Sequence, residues 1–386
     1  MSSIPSHQHA LVVEKKLGPL QLKQVDVPEP GKDEFLVRVE AAALNPVDWK
    51  ILYLGIPLDK FPSVLGFDGA GVVVKVGSEV NDYAVGDRVL FQAGFHPVTG
   101  VLRGTFQSYT IANSARATKV PANLSFEEAA GIPSVLCAAA VPLYSRAEDA
   151  PSAKLVAPWE EDGKGHYAGK PIFILGGASS IGQYVIQLAR LSGFSPIIAT
   201  ASLHNAELLE SLGATHVLDR TLPSDSVVKE AWDIAGGPID LVFDTISSAE
   251  TLATGYRATS PEGDFIYVLP DPIPGADEKP QKRAHFVRGF FDVPFNRDVS
   301  KSLLANLPEI FESGQLKPNR VEILPGGLHG VAGGLDRLRN NQEPNDMAHA
   351  DMLDDELSEI LFKLSVSTSM SGPAQAIHRS FRNELR

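Results

Sequence analysis

One stretch narrows the folds open to this chain more than any other: PIFILGG at residues 171–177, running directly into ASSIGQYVIQLARLSG at 178–193. It reads as an apolar strand, a glycine-rich turn and a helix with apolar residues at helical spacing. The pattern repeats, with SPIIATAS (195–202) as a second strand, NAELLESLG (205–213) as a helix and THVLDR (215–220) as a third strand. IDLVFDTIS (239–247) and GDFIYVLP (263–270) follow as later strands. Strands that are apolar throughout are covered on both faces, and strands separated by helices pair in parallel. The expectation is an α/β chain whose residues 131–300 form a doubly wound parallel sheet of the Rossmann type.

The first third has another texture. HALVVEK (9–15), LQLKQVDVP (20–28), EFLVRVEAAAL (34–44), GAGVVVKVG (69–77), DRVLFQ (87–92) and FQSYTIA (106–112) are short runs rich in Val, Phe and Leu. Turn signals such as Pro30-Gly31 and Gly86-Asp87 separate them, which predicts a β-rich barrel or sandwich over 1–130. Near its end, Ser125 followed by Glu128 has the spacing of a capping box. Residues 131–148 read as helical, and the polar, Pro- and Gly-punctuated segment 150–170 as a surface loop. Residues 301–342 mix helix, short strand and helix, and are expected to rejoin the first domain. In the remaining tail, 343–386, MLDDELSEILFKLSV (352–366) predicts one amphipathic helix.

Composition removes several function classes. Lysine and arginine total 34 against 47 acidic residues, a net charge of −13, which disfavours a protein that neutralises nucleic-acid backbones. One small basic pocket remains compatible with that balance. A single cysteine, Cys137, permits neither an internal disulfide nor a cysteine-rich zinc site. The start, MSSIPSHQHALVVEKK, has no apolar core of signal-peptide length, and no apolar run has membrane-spanning length. A soluble, reduced, cytoplasmic protein without a membrane or nucleic-acid partner is expected.

The chemistry concentrates at the glycine-rich turn. In Gly176-Gly177-Ala178-Ser179-Ser180-Ile181-Gly182 the glycines allow a tight turn, and free N–H groups at the helix start attract a phosphate. The same glycines would also serve simple strand–helix packing. An NAD-selective domain places a carboxylate after its second strand to hold the ribose 2′-hydroxyl. Here Ser202-Leu203-His204-Asn205 stands instead, with hydroxyl, imidazole and amide groups suited to a 2′-phosphate, and Arg220 after the third strand adds a charge. NADP(H) is the expected cofactor. Ser202 would serve equally well as a cap for the next helix.

Together with GFDGAGVVVKVGSEVNDYAVGDRV (66–89), AAGIP (129–133) and GGASSIGQYVIQLA (176–189), these features resemble the medium-chain dehydrogenase/reductase superfamily over residues 8–342. NPVDWK (45–50), the SLHN step and VEILPGGLHGVAGGLDRLRN (321–340) resemble its fungal zinc-independent branch, which contains trans-acting enoyl reductases serving polyketide synthases. The resemblance implies a GroES-like first domain. Zinc-dependent relatives use an early cysteine and the histidine of a Gly-His-Glu motif. Here Gly66-Phe67-Asp68 stands at that motif and 45–50 lacks cysteine, so no metal is expected.

What the resemblance implies is hydride transfer to the β-carbon of an α,β-unsaturated acyl thioester, with negative charge developing on the thioester oxygen. Lys50 is the candidate catalytic cation, on a loop of Val47, Asp48, Trp49 and Lys50 that would meet the nicotinamide, with Asn45 and Asp48 shaping it. A solvated lysine on a helical turn is the plainer reading of Lys50. Val268 and Leu269 would lie near the nicotinamide. Substrate contacts would come from Pro133, Ser134, Val135, Leu136 and Cys137, and from Phe286, Val287, Arg288, Gly289 and Phe290. The second group fits a dimer-interface strand as readily as an acyl channel, and monomer or dimer stays open. Cys137 reads better as a small buried residue than as a nucleophile. Family members close with a strand soon after GLDRLRNNQ; the sequence EPNDMAHADMLDDELSEILF here suggests that this strand is missing and an edge unpaired. Two other functions stay in view: a reductase of small quinones or enones, and a non-catalytic NADPH-binding protein.

Overall fold

The computed structural model describes residues 4–56, 58–276, 282–340 and 359–363. The parallel sheet expected from the repeating pattern is there. Its strands run in the order His216–Asp219, Ile197–Ala201, Ile172–Leu175, Ile239–Asp244, Thr259–Tyr267 and Arg283–Phe286, every neighbouring pair parallel. Numbered along the chain, that order is 3-2-1-4-5-6, the doubly wound arrangement that binds dinucleotides where the strand order reverses. Strands Ile172–Leu175 and Ile197–Ala201 are fully buried because helices cover both faces. Ser180–Ser192 contributes Tyr184, Val185, Ile186 and Leu188 to one core, while Val227, Val228 and Leu252 build the other.

Among the described residues the first unit is built from two further sheets. One runs Leu20–Asp26, His7–Val13, Ser63–Val64, Leu102–Arg103 and Gly94–Phe95. The other runs Ala117–Lys119, Arg88–Gln92, Asp68–Val76 and Glu34–Ala43, and Tyr109–Asn113 also pairs with Glu34–Ala43. Phe35, Phe67, Phe91 and Phe106 are buried in the core of this unit. The expected capping box is formed: Ser125 Oγ accepts the Glu128 N–H at 3.1 Å, and the Glu128 carboxylate accepts the Ser125 N–H at 2.9 Å. It starts the helix Phe126–Ala130, and Pro133–Tyr144 follows as the helix at the junction of the two units.

Two expectations need correction. Segment 150–170 lacks regular structure but is not a mere surface loop. Trp159 packs edge-on to Tyr144 at 5.2 Å and donates to Ser302, and Tyr167 stacks on Phe194 at 4.9 Å. Helix Arg297–Glu312 buries Leu303, Leu304, Leu307 and Phe311 in the core beside the parallel sheet. Its end already bonds the first unit: the Glu312 carboxylate accepts the Ala122 N–H at 2.9 Å, and the Phe311 carbonyl accepts from the Asn123 side chain at 3.0 Å. Strand Val321–Leu324 then joins the first unit's second sheet, and helix Val331–Asn340 buries Val331 and Leu335 in that unit's core.

The second correction concerns the closing strand, which is present. Glu359–Lys363 lies between Val321–Leu324, with which it pairs in parallel, and Glu34–Ala43, with which it pairs antiparallel. The expected amphipathic helix over 352–366 is therefore interrupted by a strand, and the rest of it lies outside the described residues. No helix among the described residues is long and apolar enough to cross a membrane.

A strand paired on both sides cannot lose a backbone N–H cheaply. Leu361→Pro should lower the urea-unfolding free energy by about 2 kcal/mol or more. An unchanged midpoint would show that 359–363 is not paired.

Candidate active site

Helix Pro46–Leu54 carries the candidate cation and starts cleanly at Asn45, with Pro46 in its first turn. Asp48 faces inward and is fully buried. Its carboxylate accepts the Asn45 N–H at 2.9 Å and the Gly66 N–H at 3.1 Å, pinning the helix start to the stretch before strand Asp68–Val76. Burial, with a smaller contribution from Asp68, pushes the Asp48 carboxyl up to about 8. Its position makes it a shaper of this helix. Val47 and Trp49 pack against the first unit's core.

Lys50, one residue on, is half-buried and makes no hydrogen bond or ion pair among the described residues; its Nζ stands 5.6 Å from the Trp49 ring centroid. Burial lowers its pKa, and the Asp271 carboxylate partly offsets this. Asp271 belongs to the segment just after strand Thr259–Tyr267, which also carries Val268 and Leu269, both half-buried. Val268 is anchored by its N–H to Ser247 Oγ at 2.9 Å. Lys50 therefore feels the charge of the segment expected to meet the nicotinamide.

Asp68 has a role that its place in the altered metal motif does not announce. It stands in the Gly66-Phe67-Asp68 stretch, fully buried, and accepts the Ser134 N–H at 3.0 Å, the Ser134 hydroxyl at 2.6 Å and the Asn45 side-chain amide at 3.2 Å. Burial raises its carboxyl to about 7 against these three donors. Ser134 lies in the first turn of Pro133–Tyr144, where the helix dipole favours an anion. Both polar groups of Ser134 are thus committed to the junction between the units.

The remaining proposed substrate contacts divide. Leu136 and Cys137 have no exposed surface and serve the core; burial pushes the Cys137 thiol up, against any nucleophilic role. Pro133 is buried as the first helical residue, and Val135 is half-buried. Phe286 ends the outermost strand of the parallel sheet, Val287 is buried, and exposed Arg288 sits over Phe295. Half-buried Phe290 meets Phe67 edge-on, with centroids 5.6 Å apart.

In the second unit the glycine-rich turn leaves no room for side chains at Gly176 and Gly182. A Cβ on Gly182 would stand 2.3 Å from Gly176 O, and Gly176 has φ of +77°. Ser179 caps the helix by accepting the Gly182 N–H at 2.9 Å and bonds the Thr245 hydroxyl at 2.8 Å. Ala178 is buried beneath the turn, and Ser180 and Ile181 are half-buried at the helix start. Beyond the second strand, Ser202 makes no helix-capping bond; its hydroxyl accepts from Arg220 Nε at 2.9 Å. Leu203, His204 and Asn205 form a single helical turn beside it, with Asn205 Nδ2 3.1 Å from His204 Nε2. The four polar residues chosen from the sequence thus come together. This close-fitting turn at a helix N-terminus, with an arginine beside it, fits a nicotinamide dinucleotide. The metal of zinc-dependent relatives has no such fit. Phe67 is a buried aromatic ring at the histidine position, and Asp68 is occupied by Asn45 and Ser134.

Residues 31–122 match the alcohol dehydrogenase GroES-like domain, and residues 180–282 match the zinc-binding dehydrogenase family. A trans-enoyl reductase of Aspergillus japonicus, himH, is 35% identical over 310 residues, covering 79% of this chain and 86% of its own. The 2-methylene-furan-3-one reductase of Solanum lycopersicum is 34% identical over 303 residues, 76% of this chain and 66% of its own. An alcohol dehydrogenase superfamily protein from Novosphingobium aromaticivorans superposes with a TM-score of 0.71 at 25% identity, over 93% of this chain and 100% of that one. The chain belongs to the medium-chain dehydrogenase/reductase superfamily, as an oxidoreductase of its trans-enoyl-reductase-like branch.

Proposed function

We propose that this protein is an NADPH-dependent, zinc-independent enoyl reductase that reduces an α,β-unsaturated acyl thioester in the cytoplasm. Its partner would be the carrier domain of a polyketide synthase, in secondary-metabolite biosynthesis. The observation that carries the reading is Lys50: a half-buried cation without an ion-pair partner among the described residues, on a helix locked by Asp48. The trans-enoyl reductase relative supports the reaction class.

When bound, the cofactor would supply the hydride to the β-carbon, and a proton reaching the α-carbon would complete the reduction. Lys50 holds positive charge where the thioester oxygen gains negative charge, and partial burial strengthens that interaction by excluding water. Asp48 keeps the lysine-bearing helix in register with Gly66. Arg220 and Ser202 would hold the cofactor's 2′-phosphate, with His204 and Asn205 beside them, and Val268 and Leu269 would lie near the nicotinamide. A second reading, reduction of small free enones, is favoured by the similarity to the plant 2-methylene-furan-3-one reductase. Turnover of small enones with no use of acyl-thioester mimics selects it.

Lys50→Ala should lower kcat/KM for an acyl-thioester mimic by about 100-fold, the scale of one lost transition-state donor, with NADPH affinity retained. Because burial lowers the Lys50 pKa, kcat/KM should fall as pH rises, at a pH below the usual lysine range. A pH profile identical in wild type and Lys50→Ala would remove Lys50 from the chemistry.

Arg220→Ala should weaken NADPH binding by roughly 10- to 100-fold, the loss of one or two charge-assisted bonds, and leave NADH binding nearly unchanged. Titration followed by reduced-nicotinamide fluorescence checks it. Equal losses for both cofactors would place Arg220 in folding rather than in phosphate recognition.

A further inference from the structure

Gln92 ends the strand Arg88–Gln92 and is 1% exposed. Its side-chain amide is fully used. Nε2 donates to Ser134 Oγ at 2.9 Å and to the Gly289 carbonyl at 3.0 Å, while Oε1 accepts the Phe291 N–H at 3.0 Å. A carbonyl can only accept and a backbone N–H can only donate, so these partners fix which way the amide points. Gly289 and Phe291 flank Phe290, so one side chain of the first unit holds the peptide groups on both sides of an aromatic residue contributed by the second.

The surroundings leave this segment little freedom. A Cβ on Gly289 would stand 3.2 Å from Ala138 Cβ, so the segment lies close on the junction helix. Asp292, next along, is ion-paired to Arg116 of the first unit. On its free side, Phe290 meets Phe67. Gln92 also stands directly opposite Asp68 in the strand register, and both bind Ser134. Phe290 and the lysine-bearing helix are therefore joined through one line of hydrogen-bonded polar groups: Gln92, Ser134, Asp68 and Asn45.

We infer that Gln92 is a positioning residue for the acyl substrate, holding Phe290 against Phe67 and so setting which acyl chains the site accepts. The inference rests on the acyl-thioester reading and deepens it. The side-chain bonds of Gln92 go to Ser134, Gly289 and Phe291, and to neither Lys50 nor the glycine-rich turn, so its effect should be confined to substrate fit. Losing a wall that binds ground state and transition state alike raises KM and spares kcat; losing folded enzyme lowers kcat and spares KM.

The test is a double-mutant cycle of Gln92→Ala and Phe290→Ala, read with α,β-unsaturated N-acetylcysteamine thioesters of increasing chain length. Each single variant should raise KM for the longer thioesters by about tenfold, the scale of two lost hydrogen bonds, with kcat and NADPH affinity within about twofold. The double variant should be no worse than Phe290→Ala alone, because Gln92 acts through that ring. Should Gln92→Ala not fold, Gln92→Glu enters the same cycle, since it can still accept from Phe291 while losing the donation to Gly289. Additive effects, or a fall in kcat at unchanged KM, overturn the inference and leave the acyl-thioester reading intact. No thioester turnover by the wild type overturns both.

Discussion

A carboxylate with no exposed surface must be surrounded by donors or it will not stay, and Asp68 shows what that requirement organises. Its partners are the first turn of the junction helix, through Ser134, and the start of the lysine-bearing helix, through Asn45. Three elements from distant parts of the chain are thus oriented by one side chain. Burial holds its proton until about pH 7, so the group costs stability as an ion while fixing direction. An apolar residue of the same volume would pack there without telling either helix how to turn. Asp48, pushed up to about 8, does the same for Gly66 and the helix that presents Lys50.

The cofactor end works by close fit rather than by charge burial. The strand order reverses between Ile172–Leu175 and Ile239–Asp244, and at that point Thr245 donates to the Leu175 carbonyl at 2.8 Å and stands 2.8 Å from Ser179 Oγ. Those bonds fold the glycine-rich turn back so that Gly182 rides against Gly176. The pairing of Ser202 with Arg220 beyond the second strand follows from the same sheet. Strands Ile197–Ala201 and His216–Asp219 are neighbours in parallel register, so the residues just past their ends, Ser202 and Arg220, must meet.

That last point explains what the sequence could reveal. Features carried by local repetition were legible: the parallel sheet, the glycine-rich turn, the Ser125 capping box, and the Ser202–Arg220 pair, which needs only strand order. Features carried by long-range pairing were not. Asp68 and Ser134 are 66 positions apart, and Gln92 and Gly289 are 197 apart; nothing in the neighbourhood of either hints at its partner. Asp68 drew notice only as part of an altered metal motif, although a polar residue opening an apolar strand was a signal of a buried role. The closing strand was missed for a related reason. Five residues, EILFK, are too few to show a period of two, and their spacing within 352–366 suits a helix. What makes them a strand is the slot between Glu34–Ala43 and Val321–Leu324, hundreds of residues earlier on one side.

The altered motif turns out to be constructive as well as subtractive. Phe67 at the histidine position does more than deny a ligand to zinc, because its ring is the surface against which Phe290 rests. Asp68, next to it, gives up any outer role at a metal and instead secures Ser134, the residue that Gln92 also binds. A site that relies on a metal can tolerate loose walls, since the ion itself orients the reacting oxygen. A site that relies on one lysine has no such organiser, and the orientation must come from the protein. On the proposed reading the hydrogen-bonded line from Gln92 to Asp48 supplies it, and the two residues that replace the motif's histidine and glutamate are where that line and the Phe67–Phe290 contact meet.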